Sequence, residues 1–524
     1  MRRTSWSIGL VLIVMIGGSC TKETIVFRDR EPFNTPPEAA LGMLGYYDAD
    51  TKQTTCGNCH SGAQVAWENT KHADAWEDLQ ASGHASADCD GCHTVSQLGN
   101  FIADSEAGYL AVTDSAQKVV YHDVQCESCH GPGLDHVQDT EGVKPLASVV
   151  VGEGIANGCG ECHSGTHTPF LEQWQESAHG AGASFASRGG SATCAPCHNP
   201  RVTMEVAFGE AGTVYAEQDT LAVWPAVYCV TCHDPHGSPY DAQLRAPIDV
   251  PTRDNLCVAC HARRATPPGG SHGPHAAQGL LVIGEDVGWI PPNFAYDTTL
   301  IASSHGTEAN PKLCATCHVS AFDVTDAATG DFLLTSVGHT FEPIQCLDAQ
   351  GLPTAGPCPD AERTFGACVT SGCHVSQDVV RTAFTSLKND LNSLVDILWT
   401  DDGDHVMEAT DGGLLPQIIA SDDTLELWLG DDIVTVAEGA FYNAQLAYTH
   451  DREHWGDGEM WGVHFSAHKA SGEGVHNPFL LRALLSASIG AVINTYGPVP
   501  PPNVNLTELL KPQATLPPGV RRIR

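Results

Sequence analysis

Hydrophobic positions recur at helical spacing in three stretches of the C-terminal part of the chain. The first predicts an amphipathic helix over about 377–399, with apolar side chains on one face at Phe384, Leu387, Leu391, Leu394, Val395 and Leu398. A second helix is predicted near 432–448. The third begins at Asn477-Pro478, an N-cap residue followed by proline at the first helical position, and continues to Ile493.

The preceding residues contain only short helical patches, such as Ala63 to Leu79, and little of the alternation that predicts strands. Apolar residues make up 42% of the chain and aromatic residues 7%, whereas glycine (52) and proline (32) are frequent. This composition supplies little material for a large side-chain core. We therefore expect a mainly α fold with much irregular loop, in which another apolar group supplies part of the core.

A cysteine motif recurs nine times in this loop-rich region, and we number the copies 1 to 9 in chain order. Eight copies read C-x-x-C-H, and the ninth has four residues between its cysteines. The paired cysteines are Cys56 and Cys59, Cys89 and Cys92, Cys126 and Cys129, Cys159 and Cys162, Cys194 and Cys197, Cys229 and Cys232, Cys257 and Cys260, Cys314 and Cys317, and Cys368 and Cys373. The histidines that follow them are His60, His93, His130, His163, His198, His233, His261, His318 and His374.

C-x-x-C-H is the attachment signal of c-type haem. The two thiols bind the porphyrin covalently, and the imidazole of the following histidine binds the iron on its proximal side. Paired cysteines also bind zinc, but zinc gives no reason for a histidine to follow every second cysteine. The sequence therefore predicts nine covalently attached haem c groups, with a disulfide as the alternative for Cys368 and Cys373.

Histidines are more numerous than the motifs require. Nine of the 26 are proximal, which leaves 17 for the second axial positions. Two imidazoles on each iron give a saturated haem that is suited to electron transfer. From their sequence context we expect distal ligands at His72, His136, His179, His236, His275, His305, His339 and His476, and a ninth at His84, His122 or His167. We expect surface positions for His405, His450, His454, His464 and His468.

The motif region contains an internal repeat. Motifs 1, 2 and 3 precede motifs 4, 5 and 6 by 103, 105 and 103 residues, and Trp-x4-His follows the first motif of each set, at Trp67 and at Trp174. We interpret this as a duplicated three-haem module. The predicted divisions are a nine-haem region over 56–378, made of 56–158, 159–256 and 257–378, then a helical segment over 379–496 and a Pro-rich tail over 497–524.

The N-terminus has the pattern of an export signal. Arg2 and Arg3 precede a short apolar run, and Gly17-Gly18-Ser19-Cys20 follows it. The final residues resemble a bacterial lipoprotein box, although Gly17 replaces the usual leucine. They predict a signal peptide over 1–19, a lipidated Cys20 that attaches the protein to the membrane, and a tether over 20–55. We expect an exported protein anchored to the outer membrane, on its periplasmic or cell-surface face, with a soluble periplasmic protein as the alternative.

Two further properties bear on compartment and partners. Cys346 and Cys358 are the cysteines left over, and an exported chain favours a disulfide between them. The formal net charge of −37 argues against nucleic-acid binding, which uses basic patches. The same charge favours basic or metal-cation partners over anionic ones.

Several phrases resemble the bacterial multihaem cytochrome c superfamily. They are Val124-Gln-Cys-Glu-Ser-Cys-His-Gly-Pro-Gly133, Val230-Thr-Cys-His-Asp-Pro-His-Gly237, Cys314-Ala-Thr-Cys-His318 with Gly338-His-Thr-Phe341, and Gly474-Val-His-Asn-Pro478. The superfamily includes the tetrahaem cytochromes of ammonia oxidisers, the pentahaem nitrite reductases and the octahaem oxidoreductases. The resemblance covers about 56–495 and implies a helical, loop-rich fold around a chain of stacked haems. It also implies distal ligands from remote segments, as His476 would be.

Two functions compete at this point. An electron carrier with saturated haems would exchange electrons with redox partner proteins, in an outer-membrane complex or a self-assembled polymer. A reductase or dehydrogenase of a small nitrogen or sulfur compound would leave one iron open. The related reductases carry C-x-x-C-K at one motif, which is absent here, and nothing marks Tyr442 or Tyr448 as the cross-linked tyrosine of hydroxylamine-oxidising enzymes. The sequence therefore favours the electron carrier, with no catalytic residue.

Overall fold

The computed structural model describes a mainly helical chain with long irregular connections and small sheets. The described residues are 33–149, 151, 158–165, 167–209, 224–267, 273–294, 296, 303–326, 329–348, 353–354, 358–370, 372–421, 433–460, 463–466, 476–502 and 504–509. The predicted signal peptide, Cys20 and most of the Pro-rich tail lie outside them. Within these ranges, the predicted α class with much loop is confirmed.

The α-helices of the described chain are short until the C-terminal part is reached. In order they are α1 (Ser61–Trp67), α2 (Ala75–Ala81), α3 (Ser115–Lys118), α4 (Cys126–His130), α5 (Leu134–Gln138), α6 (Phe170–Glu176), α7 (Ala178–Ala181), α8 (Ser184–Arg188), α9 (Ala195–His198), α10 (Pro200–Ala207), α11 (Cys229–Cys232), α12 (Gln278–Ile283), α13 (Cys314–His318), α14 (Gly366–Thr370), α15 (Gln377–Leu398), α16 (Leu415–Ser421), α17 (Val436–Ala447), α18 (Pro478–Tyr496) and α19 (Leu506–Leu509). Short 3₁₀ turns occupy Glu38–Ala40, Cys56–Asn58, Lys71–Asp74, Ala87–Cys89, Val119–Tyr121, Cys159–Glu161, Asp241–Gln243, Asp360–Glu362 and His450–Trp455.

The strands form small local sheets. They are β1 (Tyr46–Asp48), β2 (Gln53–Thr54), β3 (Phe322–Thr325), β4 (Phe332–Ser336), β5 (Cys346–Leu347), β6 (Pro353–Thr354), β7 (Val406–Met407), β8 (Asp457–Met460) and β9 (Val463–Ser466). Three antiparallel pairs join β1 to β2, β3 to β4 and β5 to β6. In the remaining sheet, β8 is central, parallel to β7 and antiparallel to β9.

The largest hydrophobic core lies in the C-terminal part, where α17 packs against α18 and α15 contacts both helices. The predicted amphipathic helix is confirmed as α15, whose side chains at Leu391, Leu394, Val395 and Leu398 are buried. The predicted second helix is confirmed as α17. It begins at Val436 because Thr435 and Glu438 form a reciprocal capping box there.

The third predicted helix is confirmed as α18. The Asn477 carboxamide oxygen accepts a hydrogen bond from the Leu480 N–H (3.3 Å), and the Asn477 amide group donates to the carbonyl of Leu281 in α12 (3.1 Å). These bonds fix the residue before the cap, His476, relative to the core. By length and composition α18 could cross a membrane, yet more than half of it is buried among the other helices.

Before residue 257, the described part of the motif region has only small apolar clusters, whereas Val258, Leu280 and Leu281 belong to the largest core. One gathers Met43, Val95, Val112 and Tyr121, another surrounds Trp174 and Trp224, and a third surrounds Tyr46 and Trp67. None approaches the C-terminal core in extent. This contrast agrees with the expectation that the region between the motifs depends on an apolar group other than its own side chains.

The helical patch predicted from Ala63 to Leu79 is confirmed as helical, but it is broken into two helices. It forms α1 and α2, separated by a 3₁₀ turn at Lys71–Asp74. Thr70 has an extended backbone, and its hydroxyl donates to the Trp67 carbonyl (2.8 Å), which ends α1. The break turns His72 away from the helix axis.

The Trp-x4-His sequence has the same hydrogen bonds in both of its copies. In the first, the Trp67 indole N–H donates to the Val124 carbonyl (2.9 Å), and the Val124 N–H donates to the His72 carbonyl (3.1 Å). In the second, the corresponding residues are Trp174, Val227 and His179, with distances of 2.7 and 2.9 Å. These matched contacts support the predicted duplication, because chance similarity in sequence would not reproduce them in space.

Cys346 and Cys358 form the predicted disulfide, with 5.9 Å between their Cα atoms. Cys346 belongs to β5, and the bridge closes a loop just before motif 9. The prediction from cysteine counting is therefore confirmed.

Glu127, between the two cysteines of motif 3, holds the N-terminal segment in place. The side chain is 3% exposed, and its carboxylate accepts N–H hydrogen bonds from Leu44 (2.9 Å), Gly45 (2.7 Å) and Gly133 (2.7 Å). A buried carboxylate is stable only with such partners. The contacts join motif 3 to the strand that precedes motif 1.

We predict that Glu127→Gln lowers the free energy of unfolding by about 1–3 kcal/mol. Glutamine replaces one of the two carboxylate oxygens with an NH2 group, so one buried backbone N–H would lose its acceptor. Chemical unfolding followed by circular dichroism measures the change. Glu77→Gln is the matched control, since its side chain is 70% exposed, and we expect an effect within about 0.5 kcal/mol. Equal effects of both substitutions would contradict an anchoring role for Glu127.

Candidate haem-binding sites

A helical turn brings the thiols and the imidazole of a motif together. The backbone N–H of the histidine donates to the carbonyl of the first cysteine, four residues earlier, at 2.9 to 3.0 Å in motifs 1, 4, 5, 6 and 7. Residues at this spacing share one face of a turn. Motif 9 needs a different turn, because four residues separate its cysteines. There Gly372 adopts a positive φ of 76°, a conformation that glycine accepts readily.

The sixteen cysteines of motifs 1 to 8 are free thiols in this structure. The thiols are therefore available for a covalent partner outside the protein chain.

Eight of the nine proximal histidines face a second imidazole from a distant part of the sequence. The pairs, with the distances between their ring centroids, are His60 and His136 (6.3 Å), His163 and His72 (6.2 Å), His130 and His236 (6.2 Å), His261 and His179 (6.3 Å), His198 and His275 (6.0 Å), His233 and His339 (6.4 Å), His374 and His305 (6.4 Å), and His318 and His476 (6.2 Å). The structure thus brings each of the eight histidines singled out as distal ligands to a different motif.

This spacing fits one metal ion between two rings. An imidazole nitrogen lies about 2 Å from a metal that it binds, so two imidazoles on opposite sides of one ion place their ring centroids roughly 6 Å apart. Two rings stacked face to face can lie much closer, as Trp76 and His122 do at 4.2 Å. Two thiols and two opposed imidazoles form the ligand set of a bis-histidine haem c, and the residues present therefore fit this group.

Hydrogen bonds at the other ring nitrogen orient several of these imidazoles. The Nδ1 atoms of His130, His233 and His318 lie 3.1, 2.7 and 2.7 Å from backbone carbonyl oxygens. The distal His136 and His339 have such contacts as well, at 2.7 and 3.1 Å. A carbonyl accepts only from a protonated Nδ1, so Nε2 keeps its lone pair for a metal.

Burial keeps the distal rings neutral. Burial, with a smaller effect from the neighbouring His163, lowers the pKa of His72 to about 4. Burial, with smaller effects from His261, His318 and His339, lowers the pKa of His179 to about 3. Both rings are therefore unprotonated at neutral pH, which is the form that binds iron.

The repeat extends to the pairing of these rings. The histidine of each Trp-x4-His sequence faces the proximal histidine of a later motif. His72 faces the proximal histidine of motif 4, and His179 faces the proximal histidine of motif 7. Likewise, motif 3 faces His236 and motif 6 faces His339. Each copy of the module therefore uses imidazoles from its neighbour, and neither copy has a complete set alone.

Motif 2 differs from the others. The Nδ1 of His93 lies 2.8 Å from the Ala75 carbonyl oxygen, but no histidine ring pairs with His93 in the part of the chain that the structure describes. None of the three candidates for the ninth distal ligand pairs its ring with His93, although the backbone of His122 forms a β-bridge with the neighbouring Thr94. His84 is exposed, His122 stacks on Trp76, and His167 stacks on Phe332 at 5.7 Å.

His454 corrects a prediction from the sequence. It was expected on the surface but is only 6% exposed, because it packs edge-on against Trp399 (4.6 Å) and beside Trp455 (5.8 Å). The Trp455 ring follows it directly in the sequence, which is the one signal that could have indicated burial. His464, by contrast, has a side chain that is 68% exposed, as expected.

Thiols of different motifs also touch each other. The interaction with a thiol of another motif, together with burial, raises the pKa of one cysteine in each of five pairs, which are Cys56 with Cys126, Cys162 with Cys92, Cys229 with Cys159, Cys260 with Cys197, and Cys257 with Cys314. Weaker electrostatic contacts link Cys129 with Cys159, Cys257 with Cys232, and Cys317 with Cys368. The motifs therefore neighbour one another in the order 1–3–4–6–7–8–9, with motif 2 beside motif 4 and motif 5 beside motif 7.

Family models match two parts of the motif region. Residues 55–131, which hold motifs 1 to 3, match the model "Cytochrome c554 and c-prime". Residues 225–266, which hold motifs 6 and 7, match the model "Doubled CXXCH motif". The first match includes motifs 1 and 3, and the second includes motifs 6 and 7, which are neighbours in the order given above.

Two curated proteins are similar to parts of this chain. The chain is 25% identical to "Multiheme cytochrome MtrA" of Shewanella baltica (strain OS185) over 259 residues, which is 46% of this chain and 68% of that protein. It is 33% identical to "Cytochrome c-554" of Nitrosomonas europaea over 94 residues, 15% of this chain and 36% of that one. Among solved structures, the "Outer Cell Wall Cytochrome OcwA" is similar, with 15% identity, a TM-score of 0.46 and coverage of 86% of this chain and 100% of that chain.

The motifs and the matches define a class of protein. A chain with repeated C-x-x-C-H motifs and opposed imidazoles is a c-type cytochrome with several haems. The matches support the multihaem cytochrome c superfamily, which the resemblance of its motifs predicted.

We predict that His476→Ala converts one low-spin haem to a high-spin haem and leaves the others unchanged, because it removes the imidazole opposite His318. Electron paramagnetic resonance of the oxidised protein counts the two spin states. His464→Ala is the matched control, since this exposed ring pairs with Asp457 at 2.8 Å and faces no motif. An unchanged spectrum for His476→Ala would mean that His476 only precedes a helix cap.

Proposed function

We propose that this protein carries electrons through a chain of nine bis-histidine haem c groups. The eight pairs of opposed imidazoles support this most directly, since an iron with two protein ligands has no open position for a substrate. Haem c supplies one-electron redox chemistry when it is bound. The residues described above hold each group by two thiols, set its axial ligands through hydrogen bonds at Nδ1, and shield it by burial.

The contacts between motifs suggest a route for electrons. Motifs 1 and 9 stand at the two ends of the neighbour order, and motifs 2 and 5 are side branches. Beside motif 9 the apolar side chains of Val375 and Val379 are 87% and 39% exposed. At motif 1 the Cys59 and His60 side chains are exposed. We infer that electrons enter or leave at these two ends, where a partner protein can approach closely.

We further propose that the protein works outside the cytoplasm, anchored to the outer membrane by a lipidated Cys20. Redox partner proteins would supply and accept electrons, either in an outer-membrane complex or through self-assembly of copies of this chain. Support comes from the leader sequence, from the Cys346–Cys358 disulfide and from the need to attach haem c in an exported chain. An electron route through the envelope requires a protein in this location.

We predict an intact mass that includes nine haem groups and a reductive titration that consumes nine electrons per chain. The double variant Cys368→Ala/Cys373→Ala should lose one haem and one electron. The matched control, Cys346→Ala/Cys358→Ala, should keep nine. Eight haems in the unaltered protein, with free thiols at Cys368 and Cys373, would contradict the role of motif 9. Reduction of nitrite or hydroxylamine at enzymatic rates would contradict the electron-carrier function.

The environment of His93 favours a second candidate function, in which motif 2 holds an open iron that binds a small nitrogen or sulfur compound. The repeat favours saturation instead. His167 follows the proximal His of motif 4, as His275 follows that of motif 7, and His275 faces motif 5. By this correspondence His167 would be the distal ligand of motif 2, after a movement away from Phe332.

Carbon monoxide distinguishes these two states of motif 2, because it binds a reduced haem only where an axial position is open. If His167 is the distal ligand, the unaltered protein should bind no carbon monoxide and His167→Ala should bind one molecule per chain. If motif 2 is open, the unaltered protein should already bind one, and His167→Ala should bind no more. His84→Ala is the control, and a new binding site in that variant would identify His84 as the ligand.

A further inference from the structure

A cluster of nitrogen and oxygen ligand atoms lies in the C-terminal segment, outside the haem motifs and the paired histidines. Asp401 and His405 belong to the loop between α15 and β7, and His454 belongs to the 3₁₀ turn before β8. These residues line an open cleft of about 410 Å³. The two segments meet only through tertiary structure, since about fifty residues separate them in sequence.

The Asp401 carboxylate faces two imidazoles without a hydrogen bond to either one. Its Oδ2 atom lies 3.8 Å from His405 Nε2 and 3.8 Å from His454 Nδ1, beyond hydrogen-bond distance. Its Oδ1 atom accepts the backbone N–H of His405 (3.0 Å), which fixes the carboxylate. The Asp401 side chain is 7% exposed, so water does not compensate for the missing partners.

His454 supplies the buried imidazole of the cluster and is 6% exposed. Its Nδ1 atom faces Asp401 at 3.8 Å without a hydrogen bond between them, and Nε2, on the other edge of the ring, has no hydrogen-bond partner in the described chain. A buried polar atom costs free energy unless it has a partner, and a cation at Nδ1 would supply one on the edge that faces Asp401. Trp399 and Trp455 hold the ring in place, and its Nδ1 edge is directed at Asp401.

Further carboxylates surround the three residues. Oxygen atoms of Asp401, Asp402 and Asp404 lie within 4.8 Å of one another. The nearby Arg452 does not offset their charge, because its guanidinium group binds both oxygens of Asp396, at 2.6 and 2.8 Å. A cation would compensate for this excess of negative charge.

We propose that Asp401, His405 and His454 bind a divalent transition-metal cation, with Asp404 or Asp402 as an additional oxygen ligand. Two ligand atoms that each lie about 2.1 Å from one zinc ion are at most about 4.2 Å apart, and the separation of Asp401 Oδ2 from each imidazole, 3.8 Å, fits within this limit. The rings of His405 and His454 have their centroids 6.2 Å apart, so binding both to one ion requires the exposed His405 side chain to adjust. Two imidazoles and one carboxylate suit Zn²⁺, Ni²⁺ or Fe²⁺. Ca²⁺ and Mg²⁺ fit less well, since they take oxygen ligands.

The site would tie the loop after α15 to the turn before β8. Both segments border the C-terminal core, since Trp399 and Trp455 belong to it. A cation that binds the folded state and not the unfolded state stabilises the folded protein. This site does not depend on the proposed electron transfer, because none of its residues takes part in a haem pair.

The test uses the full-length protein with its haem groups bound. A chelator first removes any metal ion already at the site, and zinc is then the only metal added. Equilibrium dialysis should give one tight zinc site per chain. Absorption at the zinc K-edge, which iron does not obscure, should indicate two imidazoles and oxygen ligands. Asp401→Asn and His405→Ala should each weaken zinc binding by at least about 100-fold, because loss of outer-shell partners alone costs about 10–100-fold. His454→Ala should weaken zinc binding to the same extent, provided that this variant folds.

The exposed His464 offers the matched control, and His464→Ala should bind zinc as the unaltered protein does. Unchanged haem absorption and melting temperature in the absence of zinc establish that each variant is folded. Asp401→Asn keeps the volume of the side chain and thus tests the site even if His454→Ala does not fold. Equal zinc affinity in all variants, or a zinc spectrum with oxygen ligands only, would overturn the proposal.

Discussion

Opposed imidazoles are the constraint on which the arrangement of this chain depends. Each proximal histidine is fixed by the turn of its own motif, whereas its partner comes from another part of the sequence. His476 lies more than a hundred residues beyond the last motif, yet its ring faces His318 at 6.2 Å. A metal ion between two such rings would join segments that share few other contacts. The ligands therefore act as cross-links between distant parts of the fold.

This explains how a loop-rich chain with few aromatic residues can be ordered. The C-terminal helices bury their own apolar faces around Trp399, Phe441 and Leu484. Before residue 257, the described part of the motif region has only small clusters of this kind. Local anchors such as Glu127 contribute to its order, and haem bound between imidazoles of different modules would contribute further. The cofactor would thus contribute to the fold as well as to the redox chemistry.

Duplication of a module explains much of the electron route that we propose. Motifs 1 to 4 and motifs 4 to 7 have the same pattern of thiol contacts, and the Trp-x4-His sequence places its imidazole in the same way in each copy. The asymmetry at motif 2 stands out against this regularity. Motif 5 faces His275, but in the described chain His93 has no such partner. We therefore expect any difference in ligand binding between the haem sites to arise at motif 2.

The sequence alone determined the features that depend on local spacing. Cys-x-x-Cys-His specifies a turn and its covalent chemistry, and the periodicity of α15, α17 and α18 specifies their helices, because both are set within a few residues. Sequence context also singled out the distal histidines, but it could not assign them to motifs. Only the tertiary structure decided that His72 faces His163, that Thr70 breaks the first helical patch, and that His454 is buried beside Asp401. These outcomes depend on contacts between residues far apart in sequence. A local sequence pattern cannot predict which of these distant residues will be neighbours in the fold.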